Sequence, residues 1–431
     1  MPGASFNSGT KIAVVQTNCS KISASKDLDN EHQKQVFIRM KCIFLILSMF
    51  FSAFHLVSQT ASTWPNYRGT NVLNGVSHST LHHPLRMLWS FKTGDEIKSS
   101  PVISGNLVFI GSMDGYVYAI HKMGNVKWKF KAESSIESPP IVIRNTVIVS
   151  SSSGLVYALD EYTGMLKWRF RADGLIMGSA NWMTDGNGIQ ILVASYDFSL
   201  YSLALDTGKL IWKYQTDNYL NGAAATDNKK IIIGGCDSYL HIIDASNGSG
   251  IAKVEIGTYV AESGAISGNL AFVGDYDGGF TCVDLLKNKV KWKFTNPKGA
   301  PFLSSPAVNA HSVFIGSHDK RVYCFDKQTG KVRWTYKTFG KIESSPVLLR
   351  DKLIVCSNDG VIHFINPQSG KKIDSFDLGV AMKSTPAVID NFLVVAGKDG
   401  VVYAFEGNKV KRPMFPLIRR AKVKPNNLLL Y

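Results

Sequence analysis

A short phrase ending in tryptophan recurs along this chain and limits what it can fold into. Its fullest form is Ala158-Leu159-Asp160-Glu161-Tyr162-Thr163-Gly164-Met165-Leu166-Lys167-Trp168. Trp89, Trp128, Trp168, Trp212, Trp292 and Trp334 follow one another at intervals of 39, 40, 44, 80 and 42 residues. The interval of 80 is two periods with one tryptophan lost, at Ala252, and one more period beyond Trp334 falls on Asp374. Eight phases of about 40 residues describe a repeat architecture, in which each unit buries its apolar face only against its neighbours.

Within a repeat the period is that of short strands. Ser344 to Leu349 opens the seventh unit, Lys352 to Cys356 and Val361 to Ile365 follow, and Asp359-Gly360 joins the last two. Asp-Gly suits a tight hairpin because glycine accepts positive φ and the aspartate bonds its own turn. The same dipeptide stands at Asp114, Asp277 and Asp399. The fourth strand carries the tryptophan and is entered through Thr163-Gly164, Thr207-Gly208 or Thr329-Gly330, with Asn288 replacing glycine once. Four antiparallel strands per 40 residues make a propeller blade, so an all-β fold is expected. The last repeat supplies three strands, Thr385 to Ile389, Asn391 to Ala396 and Val401 to Phe405, while 88–91 is a fourth strand with no repeat before it. Joining them closes an eight-bladed β-propeller over 88–406 without an unpaired sheet edge; seven blades would leave Trp89 without a place.

The flanks divide the remainder. Residues 1–39 carry no period, and Met40-Lys41 precedes the apolar run 42–57 and the small residues Ser58 and Ser62. That order predicts a secretory signal peptide with Met40 as start, making 1–58 a non-structural leader; a retained signal anchor is the alternative. The body would then be exported, periplasmic or extracellular, with 59–87 as a lead-in and 407–431 as a basic tail. Cys236, Cys282, Cys324 and Cys356 show no CxxC spacing and read as buried free thiols, the middle two filling the slot of Ala158.

Net charge is +15, but seven basic residues without an acid lie after Glu406 and residues 1–58 add a further excess of three, leaving the body near +5. No nucleic-acid partner is expected on that balance. A closed ring of this kind is expected to be monomeric.

With the phrase in view, the chain resembles the PQQ-type repeat propellers, the group that holds quinoprotein alcohol dehydrogenases and the outer-membrane assembly factor BamB. Its docking pattern, Ala-x-Asp-x-x-Thr-Gly-x-x-x-Trp, is met by Ala158, Asp160, Thr163, Gly164 and Trp168, and with Cys324 for alanine by Asp326, Thr329, Gly330 and Trp334. Trp64-Pro65-Asn66-Tyr67-Arg68-Gly69 resembles the start of many exported propellers of this type. The resemblance implies a BamB-like, non-catalytic interaction scaffold with protein partners, such as envelope assembly machinery, and no cofactor. It also leaves a rival: a quinoprotein dehydrogenase-like enzyme using PQQ and calcium, or a carbohydrate-active one. Quinoprotein dehydrogenases are longer and stack the quinone on a vicinal Cys-Cys, which this sequence lacks.

Among candidate site residues, the six tryptophans are expected to dock each blade on the next, with the N–H bonded to a backbone acceptor. His241 and His363 hold the place taken elsewhere by Tyr118, Tyr157, Tyr201, Tyr323 and Tyr403, and read as packing residues. His82-His83 reads as a surface pair, and Thr184 to Gly188 as a long hairpin with too few carboxylates for calcium. The residue three before each first-strand proline or its equivalent is Lys98, Glu137, Met177, Asn221, Glu262, Leu303, Glu343 or Lys383. These eight are expected to ring one mouth of the central channel, either as a circumferential salt-bridge network or as a polar pocket for a small ligand or a partner's loop.

Overall fold

The computed structural model describes residues 63–408, apart from Asn187 and Ala261. The signal-peptide and Met40 readings, and the basic tail from 409 onward, lie outside the described residues. Eight four-stranded antiparallel sheets form an eight-bladed propeller. Blade 1 runs Val102–Ser104, Leu107–Gly111, Tyr116–His121 and Val126–Lys131. Blades 2 to 7 open at Ile141–Ile143, Asn181–Thr184, Leu220–Thr226, Ala265–Ser267, Ala307–Val308 and Val347–Leu348, and blade 8 at Ala387–Ile389. The first strands of adjoining blades touch, which makes them the channel wall.

Burial follows the pattern of residues. Second strands such as Leu107–Gly111 are buried at every position, because blades cover both faces. Fourth strands such as Val332–Lys337 alternate exposed and half-buried residues, since one face meets solvent. The middle strands therefore read as continuous Val, Ile and Phe runs, and the outer ones as alternating Lys or Arg with aromatics.

Ring closure joins the two ends of the propeller. The closing strand is Leu85–Lys92, longer than 88–91, and pairs with Val401–Gly407 from Leu85↔Gly407 to Lys92↔Val401. A bulge between Met87 and Trp89 turns the indole toward blade 1.

The lead-in is the largest departure from the sequence reading, which gave it no structure. Residues 64–80 cross the end of the channel and hydrogen-bond to every blade in turn. Trp64 exchanges two backbone bonds with Ile103 in blade 1, and the Val142 N–H donates to the Pro65 carbonyl in blade 2. Asn181 Nδ2 and the Thr226 N–H both donate to Asn71 O, in blades 3 and 4. The N–H groups of Ile266, Val308, Leu348 and Asn391 donate to Val72, Asn74, Gly75 and Thr80 in blades 5 to 8. Arg68 is fully buried at the centre and donates to the carbonyls of Pro306 (2.9 Å) and Pro346 (2.7 Å). Gly75, at φ +64°, is held to glycine because a Cβ there would strike the Arg68 guanidinium.

Candidate functional site

The lead-in makes the channel a blind well. Tyr67 rises from it, and its hydroxyl meets Ser305 Oγ (3.2 Å) and Ser345 Oγ (3.0 Å), so the phenol forms the floor. Above it a cavity of about 510 Å³ opens at the face built by the loops that link one blade to the next. A volume of that order holds a small ligand or one or two residues of a partner.

Seven of the eight expected ring residues line this well: Lys98, Glu137, Met177, Glu262, Leu303, Glu343 and Lys383. Asn221 does not; Gly222 takes its place, while the Asn221 side chain bonds Tyr196 Oη (3.1 Å) and the Val260 carbonyl (3.0 Å). Blade 4's inner strand is displaced there, with a register shift between Asn221 and Ala225. The two lysines sit on adjoining blades, and each is held by the next acid along: Lys98 Nζ to Glu137 (2.9 Å) and Lys383 Nζ to Glu343 (2.8 Å). Burial works against the Glu343 carboxylate, but His318 and Lys383 outweigh it and bring its pKa to about 2. Glu262 stands alone on blade 5. Burial pushes its carboxyl up to about 7, with Glu343 adding and Lys383 and Arg68 opposing. Tyr276 and His318, which the sequence did not single out, complete the lip; each directly precedes the turn aspartate of its repeat, Asp277 or Asp319, at a position whose residue changes from blade to blade.

The tryptophans lie away from the well, at the seams between blades. Trp89, Trp128, Trp168, Trp292 and Trp334 donate Nε1–H to the carbonyls of Lys122, Glu161, Leu205, Lys327 and Pro367 in the following blade, at 2.7–3.1 Å. Trp212 Nε1 finds no acceptor among the described residues. A glycine of the following blade lies on each ring, as Gly164 does on Trp128 and Gly248 on Trp212.

The histidines divide. His241 Nε2 meets Asp237 (2.7 Å) and His363 Nε2 meets Asp359 (3.2 Å), the turn aspartates four residues earlier. In other blades Tyr118, Tyr201 and Tyr403 give their hydroxyls to Asp114, Asp197 and Asp399 at 2.6 Å, so imidazole and phenol fill one role. His83 is not the surface residue expected: it is half-buried, packs edge-on against Phe364 and approaches Asp374 (3.3 Å). Thr184 and Ile189 bracket a hairpin between the first two strands of blade 3. Among the described residues no group of three or more His, Cys, Asp or Glu is placed to hold a metal ion.

A quinone would need a planar floor, and the residues present do not fit one. The indole faces are taken by glycines at the seams, no tryptophan lines the well, and Cys236, Cys282, Cys324 and Cys356 are free and line no part of it.

Fold and repeat together define an eight-bladed propeller of PQQ-like repeats. A family described as outer membrane protein assembly factor BamB matches residues 86–294, 196–338 and 296–412, and the chain belongs to that family. No curated protein sequence matches. Among solved structures, BamB from Moraxella catarrhalis is 20% identical, with a TM-score of 0.64 over 77% of this chain and 100% of that one. The computationally designed Ika8 protein is 16% identical, with a TM-score of 0.66 over 74% and 99%. A europium-containing methanol dehydrogenase is 11% identical, with a TM-score of 0.64 over 81% and 98%. At these identities the likeness is one of fold.

Proposed function

We propose that this protein is an exported, non-catalytic scaffold that holds a protein partner on its channel-mouth face, in the assembly of envelope or outer-membrane proteins. One observation carries the reading: the chain fills one end of its own channel, leaving a blind polar well on the face where inter-blade loops gather. A rigid ring presenting loops around such a well suits recognition, because the scaffold stays fixed while the loops set the partner. The family description names an assembly factor, and export rests on the pattern of residues 40–62. The rival is a dehydrogenase-like or carbohydrate-active enzyme, and the residues of the well do not favour the quinone form of it.

Crosslinking in the native envelope followed by recovery of the chain tests the scaffold. A defined partner is expected with the natural chain and its loss with Lys98→Met and Lys383→Met combined; equal recovery with both chains overturns the assignment of the face. Purified protein mixed with PQQ and calcium tests the rival. Quinone absorbance carried with the protein and a raised melting temperature would replace the scaffold reading.

A further inference from the structure

The cationic donors of the well, two lysines, are gathered on one side. Lys98 and Lys383 stand at the lip on blades 1 and 8, and each spends one N–H on its glutamate, leaving two. Two residues further on, in the segments that lead into the same first strands, are Ser100 and Thr385, both buried and both lining the cavity. Their oxygens are already used as acceptors. The Thr385 N–H donates to Ser100 Oγ (2.9 Å), and the Ser345 N–H donates to Thr385 Oγ1 (3.2 Å). Neither hydroxyl hydrogen has an acceptor among the described bonds.

The other hydroxyls of the collar are placed differently. Ser305 and Ser345 face the Tyr67 hydroxyl, and Ser179 Oγ donates to the carbonyl of Pro139 (3.0 Å). Ser263, whose Oγ accepts from the Ala223 N–H (2.7 Å) as Ser100 and Thr385 accept from their neighbours, stands on blade 5 away from both lysines. The rest of the lip is Met177 and Leu303, which are apolar, Tyr276 and His318, the lysine-paired Glu137 and Glu343, and Glu262, whose carboxyl burial pushes up to about 7. Across the well an incoming anion meets apolar side chains and one carboxyl shifted toward its neutral form. Two hydroxyls lie on the blade 8 and blade 1 side below two ammonium groups, which lean outward to Glu137 on blade 2 and Glu343 on blade 7 and must turn inward to reach the anion. Buried donors without acceptors are uncommon in a folded chain, and four donors around one space describe a receptor for an oxyanion.

We propose that this sector binds a carboxylate, which enters the well between Lys98 and Lys383 and accepts hydrogen bonds from the hydroxyls of Ser100 and Thr385. The same chemistry belongs to a partner's acidic side chain or chain terminus and to a free small carboxylic acid. The first source rests on the scaffold reading above; the second does not.

The test uses the full chain and three probes at pH 7, titrated by calorimetry: N-acetylglutamate methylamide, its glutamine counterpart, and glutarate. The glutamate probe is expected to bind at least about tenfold more tightly than the glutamine one, the contrast of a charged against a neutral acceptor. Thr385→Val is expected to weaken the glutamate probe about tenfold, whereas Thr385→Ser keeps the hydroxyl and retains binding. Circular dichroism and melting establish that the variants fold, and Ser100→Ala repeats the comparison should Thr385→Val fail to. The glutamate probe binding more tightly than glutarate supports a polypeptide source, and glutarate binding as tightly supports a free acid; either upholds the carboxylate receptor. Equal binding of the glutamate and glutamine probes, or no binding of either carboxylate at millimolar concentration, overturns it. A crosslinked partner recovered in that second case would leave the scaffold standing without this site.

Discussion

Each of the six seam tryptophans is one member of a matched set of residues. Across the sheet the indoles at 89, 128, 168, 212, 292 and 334 pair with Ala404, Ala119, Ala158, Ser202, Cys282 and Cys324, all small. Where the indole is lost the partner grows: Ala252 pairs with Ile242 and Asp374 with Phe364. Volume is conserved at each level of the blade, as close packing demands. Cys282 and Cys324 are explained by this exchange, and burial pushes their thiols up, to about 12 for Cys282 and about 11 for Cys324. The same comparison separates the indole's area from its N–H. Phenylalanine at Trp128 strands the Glu161 carbonyl, whereas at Trp212 it removes a donor that has no acceptor among the described residues. Trp128→Phe is expected to cost about 1 kcal/mol more than Trp212→Phe in urea unfolding, the typical worth of one hydrogen bond. Equal losses would show that the Trp212 N–H has a partner, such as water.

Between blades, the two seams without tryptophan are not alike, although the sequence presents them as equals. At the blade 7 to 8 seam, His83 packs on Phe364 and Asn391 Nδ2 donates to the Gly407 carbonyl (2.7 Å), the acceptor an indole would have used. At the blade 4 to 5 seam, Lys230 Nζ takes the Leu285 carbonyl instead, and Asn288 stands where glycine covers the ring elsewhere. One substitute is an aromatic ring fixed by the lead-in, the other a long side chain that loses rotamer freedom when held. The strand Gly250–Glu255 is therefore expected to exchange its amide hydrogens faster than Val332–Lys337, which carries Trp334, while Lys372–Asp377 matches the latter. Hydrogen exchange read by mass spectrometry decides this, and equal rates for Gly250–Glu255 and Val332–Lys337 would sink it. The missing indoles were legible because the period marks their places. Their replacements were not, since His83 arrives from the lead-in and Asn391 bonds within its own blade at a place no period marks.

At the scale of the molecule, what repeats was legible and what breaks the repeat was not. Blade number, closure through Trp89 and the seven ring residues that line the well follow from aligning one phase of the chain. The lead-in has no period because each blade meets a different part of it, so only Trp64 to Gly69 marked it. Its effect on the centre is electrostatic as well as steric, because it seals Arg68 and Tyr67 beneath Glu262. Burial, with Glu343 adding to it, outweighs the Ser263 N–H, Lys383 and Arg68 to place that carboxyl's pKa at about 7 against an ordinary 4.5, and Tyr67 faces it as well. The sign follows from proton linkage. The unfolded chain releases this proton near pH 4.5 and the folded one near 7, so between those values the folded state binds more protons and stability falls as pH rises. Below pH 4.5 both states are protonated and the group contributes no pH dependence. Glu262→Gln removes the penalty, and its gain over the natural chain is expected to be about 1–2 kcal/mol larger at pH 8 than at pH 4, less than the full shift implies because the carboxyl is partly open to the well. Urea unfolding of both chains at the two pH values measures the difference. A variant that is instead less stable at pH 8 would mean that Glu262 is ionised and paired with Arg68, and that the wall facing the two lysines is negatively charged.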